Sequence, residues 1–221
     1  MSLDSLVTAH LVDACSAGIV LVGVLIAATR SIGRAIWLVA VQSMLLAAAA
    51  LAIGVGTGAG HLIVGSFLTL GSKGIAVPLI LGRILRASPV RIERHPYLGP
   101  RASLVVAVVL ALGAAVVVER AAASGPIDAP RALPAAVAEV MTGLLIAMTR
   151  RKGLSIVVGL LVFENGLALT AFSLTYGMPL VIELGVAFDL LVAIVVVWVY
   201  ARRMFTVIGS QSTDSLRNLR G

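Results

Sequence analysis

Apolar residues run along this chain in long unbroken blocks, and polar positions gather in short clusters between them. The blocks predict helices at about 5–28, 34–54, 61–86, 102–119, 133–149, 153–175 and 179–201. A helix that crosses a bilayer needs about 20 largely apolar residues, and most of these blocks supply that length. Inside lipid the backbone must satisfy its own hydrogen bonds, which leaves helices or a closed barrel. Barrel strands would alternate polar and apolar residues, and these blocks do not. The expectation is an all-α, polytopic membrane protein of about seven transmembrane helices.

The breaks between blocks carry their own signals. Gly54, Gly56, Gly58 and Gly60 part the second and third helices. Ser88-Pro89 and His95-Pro96 fall in a basic loop before the fourth, and Gly125-Pro126 with Pro130 separates the fourth from the fifth. In Tyr176-Gly177-Met178-Pro179 the glycine can end one helix and the proline can sit in the first turn of the next. The chain divides into a four-helix region over 1–132, a three-helix region over 133–203 and a polar tail over 204–221. Residues 1–9 carry Asp4 and no basic residue, so the first helix is expected to be retained, not cleaved as a signal.

Composition strengthens the membrane reading. Hydrophobic residues make up 60% of the 221 positions and charged residues 12%, against about 25% charged in an average soluble domain. The net charge of +7 is no nucleic-acid signature, because the basic residues sit in short clusters between apolar blocks. Arg120 and Arg131 lie on one set of helix ends and Lys73 lies within a span; the other 14 of the 17 basic residues, from Arg30 to Arg220, lie on the opposite set. The positive-inside rule then puts the N-terminus outside and the C-terminus in the cytoplasm, as an odd number of spans requires. Cys15 is the single cysteine, so no disulfide can form within the chain.

Several ionisable residues fall inside the apolar blocks: Lys73, Glu164 and Asp189 near helix centres, and His10, Asp13, Glu139 and Glu183 in the outer third. Each central charge would cost about 2.5–3.5 kcal/mol on insertion scales if nothing compensated it. Such groups must face a protein interior or a wet cavity, or pair with one another. A low-dielectric setting disfavours the charged form of either sign, a property that a proton relay uses. His10 and Asp13 are three apart and share a helix face. Glu183 and Asp189 are six apart, rotated by roughly 120°, so they serve two different contacts. Structural roles compete with these: Glu183 and Glu139 lie near helix starts, where a carboxylate complements the dipole, and Lys73 can serve as a plain interhelical ion pair.

Lys73 has a distinctive setting, Gly71-Ser72-Lys73-Gly74-Ile75-Ala76-Val77-Pro78. Pro78 has no N–H for the carbonyl of Gly74. A kinked or interrupted helix at this point would allow a hydrated site. Motifs for iron–sulfur, haem, zinc, Walker-type or serine-hydrolase chemistry are missing; His10 and His61 lie toward one side and His95 toward the other. No cofactor and no metal are expected on this chain.

Met148 to Lys152, Gly159 to Gly166 with Phe163-Glu164-Asn165-Gly166, the Leu174 to Leu180 turn, Glu183-Leu184-Gly185 and Asp189 to Val192 together resemble the hydrogenase-4 component E (HyfE) family. The Lys73 to Pro78 pattern and the overall length fit it too. The last three helices are also similar to the NuoK-type subunit of respiratory complex I. There Glu164 matches the first of two membrane glutamates; Asp189 or Glu183 matches the second, Asp189 by its distance to Arg202-Arg203 and Glu183 by residue type. The resemblance implies a non-catalytic subunit of a complex-I-like, group 4 hydrogenase-type assembly in the cell inner membrane. Its implied relay is Glu164, Asp189 or Glu183, Lys73 as charge partner, and Glu139, Asp13 and His10 leading outward. Its implied partners are antiporter-like and NuoH-like membrane subunits, with a peripheral nickel–iron hydrogenase-type arm held through them. A structural adaptor without a relay role and an independent small secondary transporter are the competing readings.

Overall fold

A computed structural model describes residues 3–86, 92–93, 96–124 and 132–175. The elements of the described residues are helices, in the order α1 (Leu3–Ala28), α2 (Ile32–Thr57), α3 (Gly60–Thr69), a π-helical segment (Leu70–Ala76), α4 (Val77–Arg86), α5 (Pro100–Ser124), α6 (Leu133–Thr149) and α7 (Gly153–Thr175), with one isolated β-bridge between Ser31 and Ile92. Five spans among them are long and apolar enough to cross a membrane; α3, the π segment and α4 together make one of these, and α6 is a shorter apolar helix. The seventh expected helix over 179–201 lies outside the described residues, as do Glu183 and Asp189.

The ends follow local chemistry. Gly58 adopts φ 70° at the end of α2, and the N–H of Ala59 reaches back to the Gly54 carbonyl at 3.0 Å. This is a Schellman-type stop, which needs a residue without a Cβ penalty. Helix α5 runs from Pro100 to Ser124, several residues beyond the expected 102–119. Pro100 suits a first helical position, where no N–H is needed. At the other end the helix runs on past Glu119 and Arg120, both exposed, through three alanines to Ser124.

The interruption foreseen beside Lys73 takes the form of the π-helical segment. The Val77 N–H bonds to the Ser72 carbonyl, five residues back. Widening the turn lets the chain approach Pro78, which cannot donate at all.

Helix α7 packs on α6 and α2, and α1 packs on α2, α5 and α6. The rod of α3, π segment and α4 leans on α2, and most of its surface is exposed: Val64, Phe67, Leu68, Ile75 and Leu79 among others. One apolar core, including Ile26, Val39, Ile146, Val158 and Leu161, fills the end of the bundle that carries the α1–α2 and α6–α7 turns. A smaller one, with Ile19, Leu46, Ala136 and Leu169, lies toward the other end.

Helices α6 and α7 meet at backbone distance along a glycine seam. A Cβ at Gly143 would fall on the Phe163 backbone nitrogen, one at Gly159 would lie 2.5 Å from the Ala147 nitrogen, and one at Gly166 would lie 2.6 Å from the Val140 nitrogen. Small residues give membrane helices the close van der Waals approach that lipid cannot supply. We expect Gly143→Ala to destabilise the detergent-solubilised chain by about 1–3 kcal/mol, as overpacking does. Gly113→Ala, with open space around it, leaves stability unchanged; thermal unfolding of the two variants side by side checks this.

Candidate functional site

Between the two apolar cores lies a polar layer whose side chains come from α2, the π segment, α6 and α7, with a backbone carbonyl of α1. Lys73 projects from the π segment and Glu164 from the centre of α7. Lys73 Nζ stands 2.6 Å from Glu164 Oε1, with side-chain exposures of 6% and 2%. Burial this deep removes water from both charges, so each depends on the other. The pair is also the ionic link between the peripheral rod and the central helix.

Next to Glu164, Asn165 points toward α2. Its Nδ2 donates to Gln42 Oε1 at 3.0 Å and to Ser43 Oγ at 3.3 Å. Gln42 Nε2 donates in turn to the Ile19 carbonyl of α1 at 3.1 Å and to Glu139 Oε1 of α6. Glu139, Gln42, Ser43 and Asn165 are all essentially inaccessible to water. Glu139 fits because Gly23 on α1 has no side chain: a Cβ there would lie 2.5 Å from Glu139 Oε2.

Sequence reasoning set Glu139 in the outer third. The packing register fixes its level against α7, because Gly166 sits against the backbone of Glu139 and Val140. Glu139 is thus level with about residue 167, roughly 4.5 Å along the axis from Glu164 at 1.5 Å per residue. Of the other expected site residues, His10 is exposed and Asp13 half-buried on α1. Asp13 is ten residues from Gly23, or about 15 Å along the helix, so neither joins this layer. Gln42 and Ser43 escaped the sequence reading. A glutamine is uncharged and unremarkable in composition, and the signal was its position inside the apolar block of α2.

A second polar cluster closes the end that carries the basic loops. Glu93, 1% exposed, accepts the backbone N–H groups of Arg151 at 2.6 Å and Lys152 at 3.2 Å through Oε1. Its Oε2 faces Arg150 Nη1 at 3.7 Å, and Arg150 Nη2 donates to the Ala27 carbonyl at 2.5 Å. The Glu93 N–H bonds to the Arg30 carbonyl, and the Arg151 guanidinium lies 4.1 Å over the Tyr97 ring. Desolvation pulls the Arg150 pKa below the usual guanidinium value, Glu93 opposes this, and Arg30 adds to it; a group this basic stays charged. Glu93 thereby ties the α4–α5 connection to the α1–α2 and α6–α7 turns. It was legible only as the lone acid of Arg91-Ile92-Glu93-Arg94.

Two outcomes follow for the ionic contacts. Lys73→Met or Glu164→Leu alone should cost about 3–5 kcal/mol, whereas the double variant should cost less than the sum of the two, because each charge is removed together with its partner in this pair. Glu93→Ala strands Arg150 and should cost a similar amount. Thermal unfolding of each variant in detergent, arranged as a double-mutant cycle for the first pair, measures both.

The chain is similar, at 34% identity, to the uncharacterized protein Rv0085 of Mycobacterium tuberculosis, over 95% of this chain and 96% of that one. It is 28% identical to hydrogenase-4 component E of Escherichia coli and of Shigella flexneri, over 68% of this chain and 69% of theirs. No protein-family model and no solved structure matches it.

Proposed function

We propose that this chain, which belongs to the family of the mycobacterial protein Rv0085, is a membrane subunit of a hydrogenase-4-type, complex-I-like assembly and contributes buried carboxylates to proton translocation. The likeness to hydrogenase-4 component E supports the assembly. The Lys73–Glu164 pair at the centre of the spans supports the proton role. Protonating Glu164 would remove the negative member of the ion pair and change the electrostatic setting of the buried Lys73. The site therefore has two states of different electrostatic energy, which is what a coupled pump needs.

In this reading the redox chemistry belongs to a peripheral nickel–iron hydrogenase-type arm, and this chain holds no cofactor. Its neighbours are antiporter-like and NuoH-like membrane subunits. It lies in the inner membrane with its N-terminus outside, so that the Glu93 cluster faces the cytoplasm. The three helices from 133 to 203 correspond to a NuoK-like unit, with Glu164 as its first relay carboxylate and Asp189 or Glu183 as its second.

The test is Glu164→Gln in the intact complex. Protons moved per electron pair should fall while the complex still assembles and turns over; full stoichiometry at normal turnover would sink the relay role. One observation favours an adaptor instead: the same ion pair fastens the α3–α4 rod to α7. On that reading Glu164→Gln lowers the amount of assembled complex and leaves pumping per turnover intact.

A further inference from the structure

The polar layer holds a second carboxylate whose surroundings differ from those of Glu164. We propose that Glu139 is a proton-storing site, carried as a neutral carboxylic acid and fixed in place by the Gln42–Asn165 carboxamide pair; this deepens the relay reading and rests on it for its role in transport.

The hydrogen-bond directions are settled by one acceptor. The Ile19 carbonyl can only accept, so the Gln42 atom 3.1 Å from it is the amide nitrogen. That nitrogen has two hydrogens, and the second goes to Glu139 Oε1. Both hydrogens of Asn165 Nδ2 are likewise used, on Gln42 Oε1 and Ser43 Oγ. Both amide nitrogens are thus spent, and one path of donors, Asn165 to Gln42 to Glu139, ends on Glu139 Oε1. Among the described residues, Glu139 Oε2 has no hydrogen-bond partner, and no cation is placed against Glu139.

A carboxylate anion at 0% exposure with a single N–H donor would carry a large uncompensated charge. A neutral acid fits the same contacts. Its carbonyl oxygen, Oε1, accepts from Gln42, and its hydroxyl, Oε2, lies over the bare Cα of Gly23. The groups against Glu139 are Gly23 of α1 and the Gln42 amide of α2, both uncharged, and the ionisable residues of α5, which also packs on α6, are Arg101, Glu119 and Arg120, all exposed. Glu164 of α7 is engaged with Lys73. The two carboxylates are therefore unlike: one faces a cation, and the other faces only amides.

Infrared spectroscopy of the full chain in native membranes tests this directly. At neutral pH the protonated-carboxyl C=O stretch should include a component that is lost in Glu139→Gln and kept in Glu164→Gln. Gln42→Leu, which removes the donor to Oε1, should move that component to higher frequency. A carboxyl region identical in the wild type and Glu139→Gln overturns the proposal, as does an unshifted component in Gln42→Leu. Full pumping by Glu164→Gln would overturn the relay reading and leave these spectra untouched, so the two failures are distinguishable.

Discussion

Gln42 is where the bundle is tied together. A single side chain on α2 bonds to the backbone of α1, to a carboxyl on α6 and to an amide on α7. Lipid offers no alternative partners, so each of these groups must find its complement inside the protein. That requirement orders the rest. The glycine seam brings α6 and α7 to backbone contact, which sets Glu139 and Asn165 at nearly one level. Gly23 opens the space that Glu139 fills. The Lys73–Glu164 pair then extends the layer outward to the α3–α4 rod. Hydroxyls along the spans meet the same demand locally: Ser16, Thr142, Thr170 and Ser173 each return a hydrogen bond to the carbonyl four residues earlier.

The two polar clusters do different work. The central one is made of side chains from helices, with charge and amide groups interleaved across the bundle. The end cluster is made largely of backbone groups gathered around one acid. Glu93 accepts from the first residues after α6 and brings Arg150 against the end of α1. Three connections are thereby fixed at one end of the bundle, and the helices they join keep a common axial register there.

Much of this architecture was readable from residue order alone. Long apolar blocks gave the helices because lipid leaves only helices or a closed barrel, and blocks without polar–apolar alternation exclude the barrel. Gly58, among the glycines that part the second and third helices, marked a boundary because it lacks the Cβ that disfavours its left-handed conformation. Lys73 and Glu164 stood out because a charge at mid-span demands a partner, and the structure pairs them. Partnerships were less legible where the residue was neutral. Nothing in a linear reading joins Gln42 to Glu139, 97 positions away, because an amide carries no cost large enough to announce itself. The axial offset between α6 and α7, which sets Glu139 beside Gly166, was likewise not legible from distances along a single helix.

The π-helical segment has one more consequence. A turn that spans five residues instead of four holds one surplus residue, and each residue of an α-helix turns the chain by about 100°. The rod beyond Ala76 is therefore out of phase with the rod before Leu70. Lys73 looks into the protein from the widened turn, while Leu81 on α4 reaches the apolar core from a side that an uninterrupted helix would have turned elsewhere. One membrane crossing thus presents two azimuths, one on each half of the bilayer. A neighbour docking along this rod would meet two different faces stacked end to end.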